Sequence, residues 1–222
     1  MNEKVIWEYL IKKTNNPYGT AAIMGNLMAE SSLNPRCVTG TSDKDYTERA
    51  DTGVIDFARD ARAYGLVQWR YNTRKEGLLA YAKNTGRSVG HLQMQLEYLV
   101  KEMSESYKSV WKAVTEATSI RAASDTVMLK YEKPGTTTEA AKQKRAAYGQ
   151  KYYDQFAKAQ PAPSGKKIVR TTAQVNARAG KGTNTEKLGS FIKGKDLEWI
   201  ATENGWHKVA CWVSGDFSEV IE

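Results

Sequence analysis

The residue best placed for acid–base chemistry is Glu30. It closes the apolar run Pro17-Tyr18-Gly19-Thr20-Ala21-Ala22-Ile23-Met24-Gly25-Asn26-Leu27-Met28-Ala29-Glu30, which reads as a largely buried helix begun near Pro17 and stopped before Pro35. Desolvation at the end of such a helix can raise a glutamate's pKa and keep it protonated near neutral pH. That state is what a general acid needs in order to protonate a glycosidic oxygen. The same position also suits a solvated charge in a helix's last turn. A second carboxylate would be sought among the acids between Glu30 and Tyr64, where Asp43 and Asp51 are candidates in a polar stretch expected to form loop or a short hairpin. Glu132 is a further candidate, although its place before Lys133-Pro134 equally suits a structural ion pair.

Tyr64, Gly65, Gln68 and Trp69 form the next informative group. A glutamine amide both donates to and accepts from sugar hydroxyls and acetamido groups, and aromatic rings offer apolar faces to pyranose C–H edges. Each has a plainer reading as well: Trp69 as core, Gln68 as a turn cap, Gly65 as a tight backbone point. Other chemistries are poorly supplied. The histidines are His91 and His207, in different predicted domains, so no zinc site is expected. Cys37 with His91 is the sole thiol–imidazole pairing in the first domain, and Cys37 follows Pro35-Arg36 rather than opening an apolar helix. Neither a phosphate-binding glycine loop nor a nucleophile-elbow serine is found, and no cofactor is implied.

The elements that must position these residues are mostly helical up to about Lys158. Leu92, Leu96, Leu99 and Met103 fall on one stripe behind a Ser88 cap, and Ile120, Ala123, Val127 and Tyr131 on another that Pro134-Gly135 should stop. A last helix from about Thr138 is expected to turn Ala141, Tyr148, Tyr152 and Phe156 inward. The run Ala159-Gln160-Pro161-Ala162-Pro163-Ser164-Gly165 changes the composition abruptly and reads as an extended linker over 159–166. Beyond it, Lys167–Arg170, Glu198–Ala201 and Lys208–Val213 are short β-rich runs broken by turn residues, the pattern of a small barrel. The predicted organisation is therefore a mainly α domain over 1–158 and a small all-β domain over 167–222.

A chain of 222 residues that is 41% hydrophobic has enough apolar content for this arrangement. Its formal charge of +8 favours a polyanionic partner, either nucleic acid or a cell wall carrying anionic polymer. From Ser164 onward nine Lys and Arg stand against seven Asp and Glu, which leaves +6 upstream. These cations are scattered among acids with no reading helix, so nucleic acid is not expected as the partner. Cys37 and Cys211 read as free thiols of a reducing cytoplasm. The expectation is a protein without signal peptide or membrane insertion, monomeric, made in a cytoplasm and needing a separate route to any target beyond the membrane.

Gly25-Asn26-Leu27-Met28-Ala29-Glu30-Ser31-Ser32-Leu33-Asn34-Pro35, followed in order by Tyr64-Gly65-Leu66-Val67-Gln68-Trp69 and Tyr131-Glu132-Lys133-Pro134, resembles the phage tail lysozyme family of the lysozyme-like superfamily. The resemblance implies that Glu30 is the catalytic acid and that Tyr64, Gly65, Gln68 and Trp69 line the cleft. It further implies bacterial peptidoglycan as substrate and a phage endolysin released through a holin-type lesion. Thr172–Thr185, Leu188–Lys195, Glu203–Val209 and Trp212-Val213 resemble a bacterial SH3-like wall-binding domain, with Cys211 where relatives carry glycine. There Trp206, His207 and Trp212 are candidate wall contacts, and Trp199 is expected to point inward. Muramidase is the leading reading. The alternatives are a lytic transglycosylase or N-acetylglucosaminidase on the same scaffold, and a non-catalytic wall-binding or tail-associated protein.

Overall fold

The computed structural model describes residues 2–39, 44–157, 168–209, 212–214 and 218–221. The chain separates into two compact units, 1–159 and 160–222. In the first, helices α1 (Asn2–Thr14), α2 (Pro17–Ser31), α3 (Tyr46–Asp51), α4 (Asn72–Thr85), α5 (Leu92–Ser106), α6 (Lys108–Thr115), α7 (Ile120–Thr126) and α8 (Glu139–Tyr152) follow in order. α7 and α8 each run on into a wider π-helical turn, Val127–Glu132 and Tyr153–Ala157. No described helix is long and apolar enough to cross a membrane.

α2 is the axis of this unit, and its sequence explains why. Nine consecutive residues, Gly19 to Leu27, are buried, so the helix has no solvent face there and is enclosed by α1, α6, α7 and α8. Asn16 caps its start by accepting from the Gly19 N–H at 2.9 Å, with Pro17 in the first turn. Ser32 and Leu33 stop it by taking left-handed backbone, φ 54° and 59°, ahead of Pro35. The closest packing is against α8. A Cβ on Gly25 would lie 2.3 Å from the Arg145 carbonyl oxygen, and one on Gly149 would lie 2.8 Å from that of Ala21. These two glycines let the backbones touch, and that contact brings the charged side chain of Arg145 alongside α2.

Three local expectations are corrected. α5 is capped by His91, whose Nδ1 accepts from the Met94 N–H at 3.3 Å, while Ser88 bonds the Gly90 N–H. The acidic stretch before Tyr64 contains helix α3 instead of a hairpin. Its following loop is pinned by fully buried Lys75, which bonds Asp60, Tyr46 and the Arg62 carbonyl and lies 4.4 Å from the Phe57 ring centroid. Finally, α8 buries Arg145, Gly149 and Tyr152, whereas Tyr148 is only half-buried. The stripe Ile120, Ala123, Val127 and Tyr131 is buried as its spacing requires.

The second unit is strand-rich. β1 (Ile168–Thr171), β2 (Val175–Arg178), β3 (Lys187–Phe191), β4 (Asp196–Glu198), β5 (Ala201–Glu203), β6 (Trp206–Lys208), β7 (Trp212–Ser214) and β8 (Ser218–Ile221) form two small antiparallel sheets, in the orders β4-β1-β8 and β3-β2-β7-β6-β5. Val169, Val175 and Val209 are its buried centre, with Phe191, Leu197 and Trp199 packed against them. The linker residues 159–166 and Cys211 lie outside the described residues.

Candidate active site

Glu30 sits in the last turn of α2 with its side chain 17% exposed. It was expected to be an isolated, desolvated carboxyl, and here the structure corrects the sequence. Arg145 Nη2 donates to Glu30 Oε1 at 2.6 Å, forming a largely buried salt bridge. Arg145 Nη1 donates to Asn26 Oδ1 at 3.2 Å, and Asn26 in turn donates to Ser124 Oγ at 3.1 Å and to the Ala22 carbonyl at 2.9 Å. One polar chain thus runs through the α2–α7–α8 contact and ends on the glutamate. Among the described residues Glu30 Oε2 has no hydrogen-bond partner.

The carboxyl that is sealed and unpaired is Glu132. It ends the wide turn after α7, where the Lys133 N–H reaches back five residues to the Met128 carbonyl at 2.8 Å and Lys133 adopts φ 50°. Such π turns recur at functional sites because the extra residue redirects side chains. Glu132 as a whole keeps some exposure, but its Oε1 is shut off from solvent and has no hydrogen-bond partner. Burial pushes this carboxyl well above the usual glutamate range and the charge of Glu30 pushes the same way, against the pull of Arg74 and Arg145.

Neither guanidinium forms a hydrogen bond to it. Arg145 is held by Glu30 and Asn26, and Arg74 by Glu102. Glu102, on α5, is the centre of a satisfied buried cluster. It accepts from Arg74 Nε at 2.7 Å and Nη2 at 2.8 Å, from Trp69 Nε1 at 3.0 Å and from the Tyr131 hydroxyl at 2.6 Å. The Arg74 guanidinium also lies 4.6 Å from the Tyr131 ring centroid. This cluster anchors the turn that carries Glu132. Sequence reasoning passed over Arg74, Glu102 and Arg145. The only available signal was a charged residue at an inward helical position, Glu102 next to Met103 on α5 and Arg145 four residues before Gly149 on α8.

The segment from Tyr64 to Trp69 folds back on itself, the two end residues exchanging backbone bonds at 3.0 and 2.9 Å. Gly65 turns with φ 77°, and a Cβ there would meet the Gln95 side chain at 2.7 Å. Ser31, directly after Glu30, donates to the Leu66 carbonyl at 2.9 Å, so the two motifs meet. Their aromatic members do not line a cleft, however. Tyr64 and Trp69 are fully buried, Tyr64 bonded to Thr47 Oγ1 at 2.7 Å and packed on Phe57, Trp69 bonded to Glu102. Apolar rings whose polar tips find internal partners are more stable in this core than beside water. Gln68 ties the loop together: Nε2 donates to the Cys37 and Gly65 carbonyls at 3.1 and 3.0 Å, and Oε1 accepts from Thr39.

Of the other candidate acids, Asp51 accepts from the Val89 N–H at 2.8 Å and holds the approach to α5. Asp43 lies outside the described residues. In the second unit Trp206 is half-buried on β6, while His207 is turned inward, 8% exposed, with its Nδ1 2.9 Å from Thr202 Oγ1. That corrects the reading of His207 as a surface contact. The side chain of Trp212 lies outside the described part of the molecule. Trp199 packs on the small core as expected and bonds Thr202 through Nε1 at 2.9 Å.

A central buried helix ending in a half-exposed glutamate, with a second carboxyl sealed within its electrostatic reach, defines an acid–base site of the carboxylate type used on glycosidic bonds. A family model for phage tail lysozymes matches residues 1–156, and the chain belongs to that family. Comparison with curated proteins returns no match. Family membership implies a peptidoglycan-lytic enzyme of the glycosidase kind, with peptidoglycan as its substrate.

Proposed function

We propose that the protein cuts the glycan strand of peptidoglycan as a muramidase, with Glu30 protonating the departing glycosidic oxygen while water adds to the muramic acid C1. The observation that carries this reading is the geometry of Glu30: Arg145 fixes Oε1, and Oε2 has no partner among the described residues. A general acid needs one oxygen oriented by the protein and one open to substrate. Gln68 and Gly65 shape the adjacent loop backbone, and Asp43 is the remaining candidate for holding the attacking water.

The test is mass spectrometry of fragments released from purified peptidoglycan by wild type and Glu30→Gln. New reducing muramic acid ends are expected, with the variant slower by about 10²–10⁴-fold. Anhydromuramic ends would assign a transglycosylase instead, and reducing glucosamine ends a glucosaminidase. No cleavage by folded wild type would leave a binding protein.

We further propose that the strand-rich unit is an SH3-like module that holds the enzyme on the wall and raises its local concentration there. The antiparallel pairing of its short strands and the partial exposure of Trp206 support this. Trp206→Ala in the full chain is expected to weaken co-sedimentation with purified walls by about thirtyfold, ~2 kcal/mol. Unchanged binding would remove Trp206 from the contact.

A further inference from the structure

We propose that Glu132 is a positioning residue of the reaction, forming with Glu30 a carboxyl pair that holds a single proton between its two members. This rests on the reading of Glu30 as the proton donor.

The argument begins with the orphaned oxygen. Buried polar atoms without partners are rare in folded proteins, and each asks for a reason. Glu132 Oε1 is such an atom, in a domain that satisfies Glu102 four times over a short distance along the same network. The charged groups acting on Glu132 come from four helices: Glu30 from α2, Arg74 from α4, Glu102 from α5 and Arg145 from α8. Both cations are committed by hydrogen bonds to the other two acids. Glu132 therefore has neither a hydrogen-bond donor for its Oε1 nor a cation of its own, and it stands in the field of ionised Glu30. Two like charges so placed cannot both form at low cost, so one proton stays with the pair over a wide pH range.

The arrangement divides the work. While Glu30 is ionised and held by Arg145, the proton rests on Glu132. As a substrate displaces water from Glu30, charge on Glu30 becomes costlier and the proton moves to it, leaving Glu132 charged. Glu30 then donates that proton to the leaving oxygen and recovers one from the water that adds to the sugar. No proton is lost or gained in the cycle beyond that of the water consumed.

The experiment uses the full chain and the variants Glu132→Gln and Glu30→Gln. Removing the Glu132 charge lets Glu30 lose its proton at lower pH. The alkaline limb of the pH–rate profile for glycan cleavage by Glu132→Gln is therefore expected to move acidward by about one unit or more, about tenfold in rate at neutral pH, with recovery on acidification. A merely structural residue would lower the rate evenly at all pH values, and that outcome, or an unmoved profile, overturns the proposal.

Carbon-detected NMR of ¹³C-labelled glutamate carboxyls tests the pair without relying on activity. The resonance lost in Glu132→Gln should titrate well above the ordinary glutamate range in wild type, and closer to that range in Glu30→Gln. Ordinary titration, or a midpoint indifferent to Glu30, also overturns the pair. Cleavage that survives Glu30→Gln would remove the assigned donor while NMR still decides whether the two carboxyls are coupled.

Discussion

Glu102 and Glu132 meet opposite surroundings on either side of the same tyrosine. Glu102 is 7% exposed and accepts hydrogen bonds from an arginine, a tryptophan and a tyrosine. Glu132 follows that tyrosine directly in the chain and has an enclosed oxygen with no partner. A buried carboxylate with every lone pair engaged behaves as scaffold, since its charge is compensated and its neighbours are locked by it. One that is left unpaired is a cost to the fold, and it persists where a proton has to be kept. The contrast separates the part of the domain that positions the site from the part that works in it.

The pair of variants Glu102→Gln and Glu132→Gln tests this contrast most directly. Removing the charge of Glu102 strands Arg74 in the interior, and a loss of about 3–5 kcal/mol is expected in thermal or urea unfolding at neutral pH. Glu132→Gln replaces a group that folds best uncharged with a neutral one of the same shape, so unfolding stability should hold or rise. Equal losses in both would erase the distinction between scaffold and site.

A smaller effect sharpens the role of the α2–α8 contact. Gly25→Ala introduces a methyl group where the Arg145 carbonyl oxygen would be 2.3 Å away. The helices must separate, with an expected cost of about 1–3 kcal/mol. Because Arg145 moves with α8, glycan cleavage measured well below the melting temperature should fall more than the folded fraction does. If rate and folded fraction fall together, Arg145 does not act through its hold on Glu30.

Much of the frame could be read from local pattern. The bounds of the buried helix, Pro17 and the stop before Pro35, follow from capping and proline chemistry that a few neighbouring residues express. The stripe from Ile120 to Tyr131 and the short strands after the linker follow from periodicity in the same way. Aromatic type without context was misleading. Tyr64 and Trp69 carry the same rings whether they face a sugar or a core, and only Thr47 and Glu102, 17 and 33 residues away in sequence, show that they face the core.

What the sequence alone determined about this protein is its division into a helical and a strand-rich part, the helix that ends at Glu30, and the order of motifs marking its family. These are consequences of spacing within a few turns of chain. Tertiary structure decided the partners of the carboxyls: Arg145 reaches Glu30 across 115 residues, and Arg74 reaches Glu102 across 28. Whether a carboxyl is paired or left alone depends on which side chains the packed helices bring within about 3 Å of it. No local pattern encodes that distance, because it is set by the close approach of whole helices through glycines such as Gly25 and Gly149.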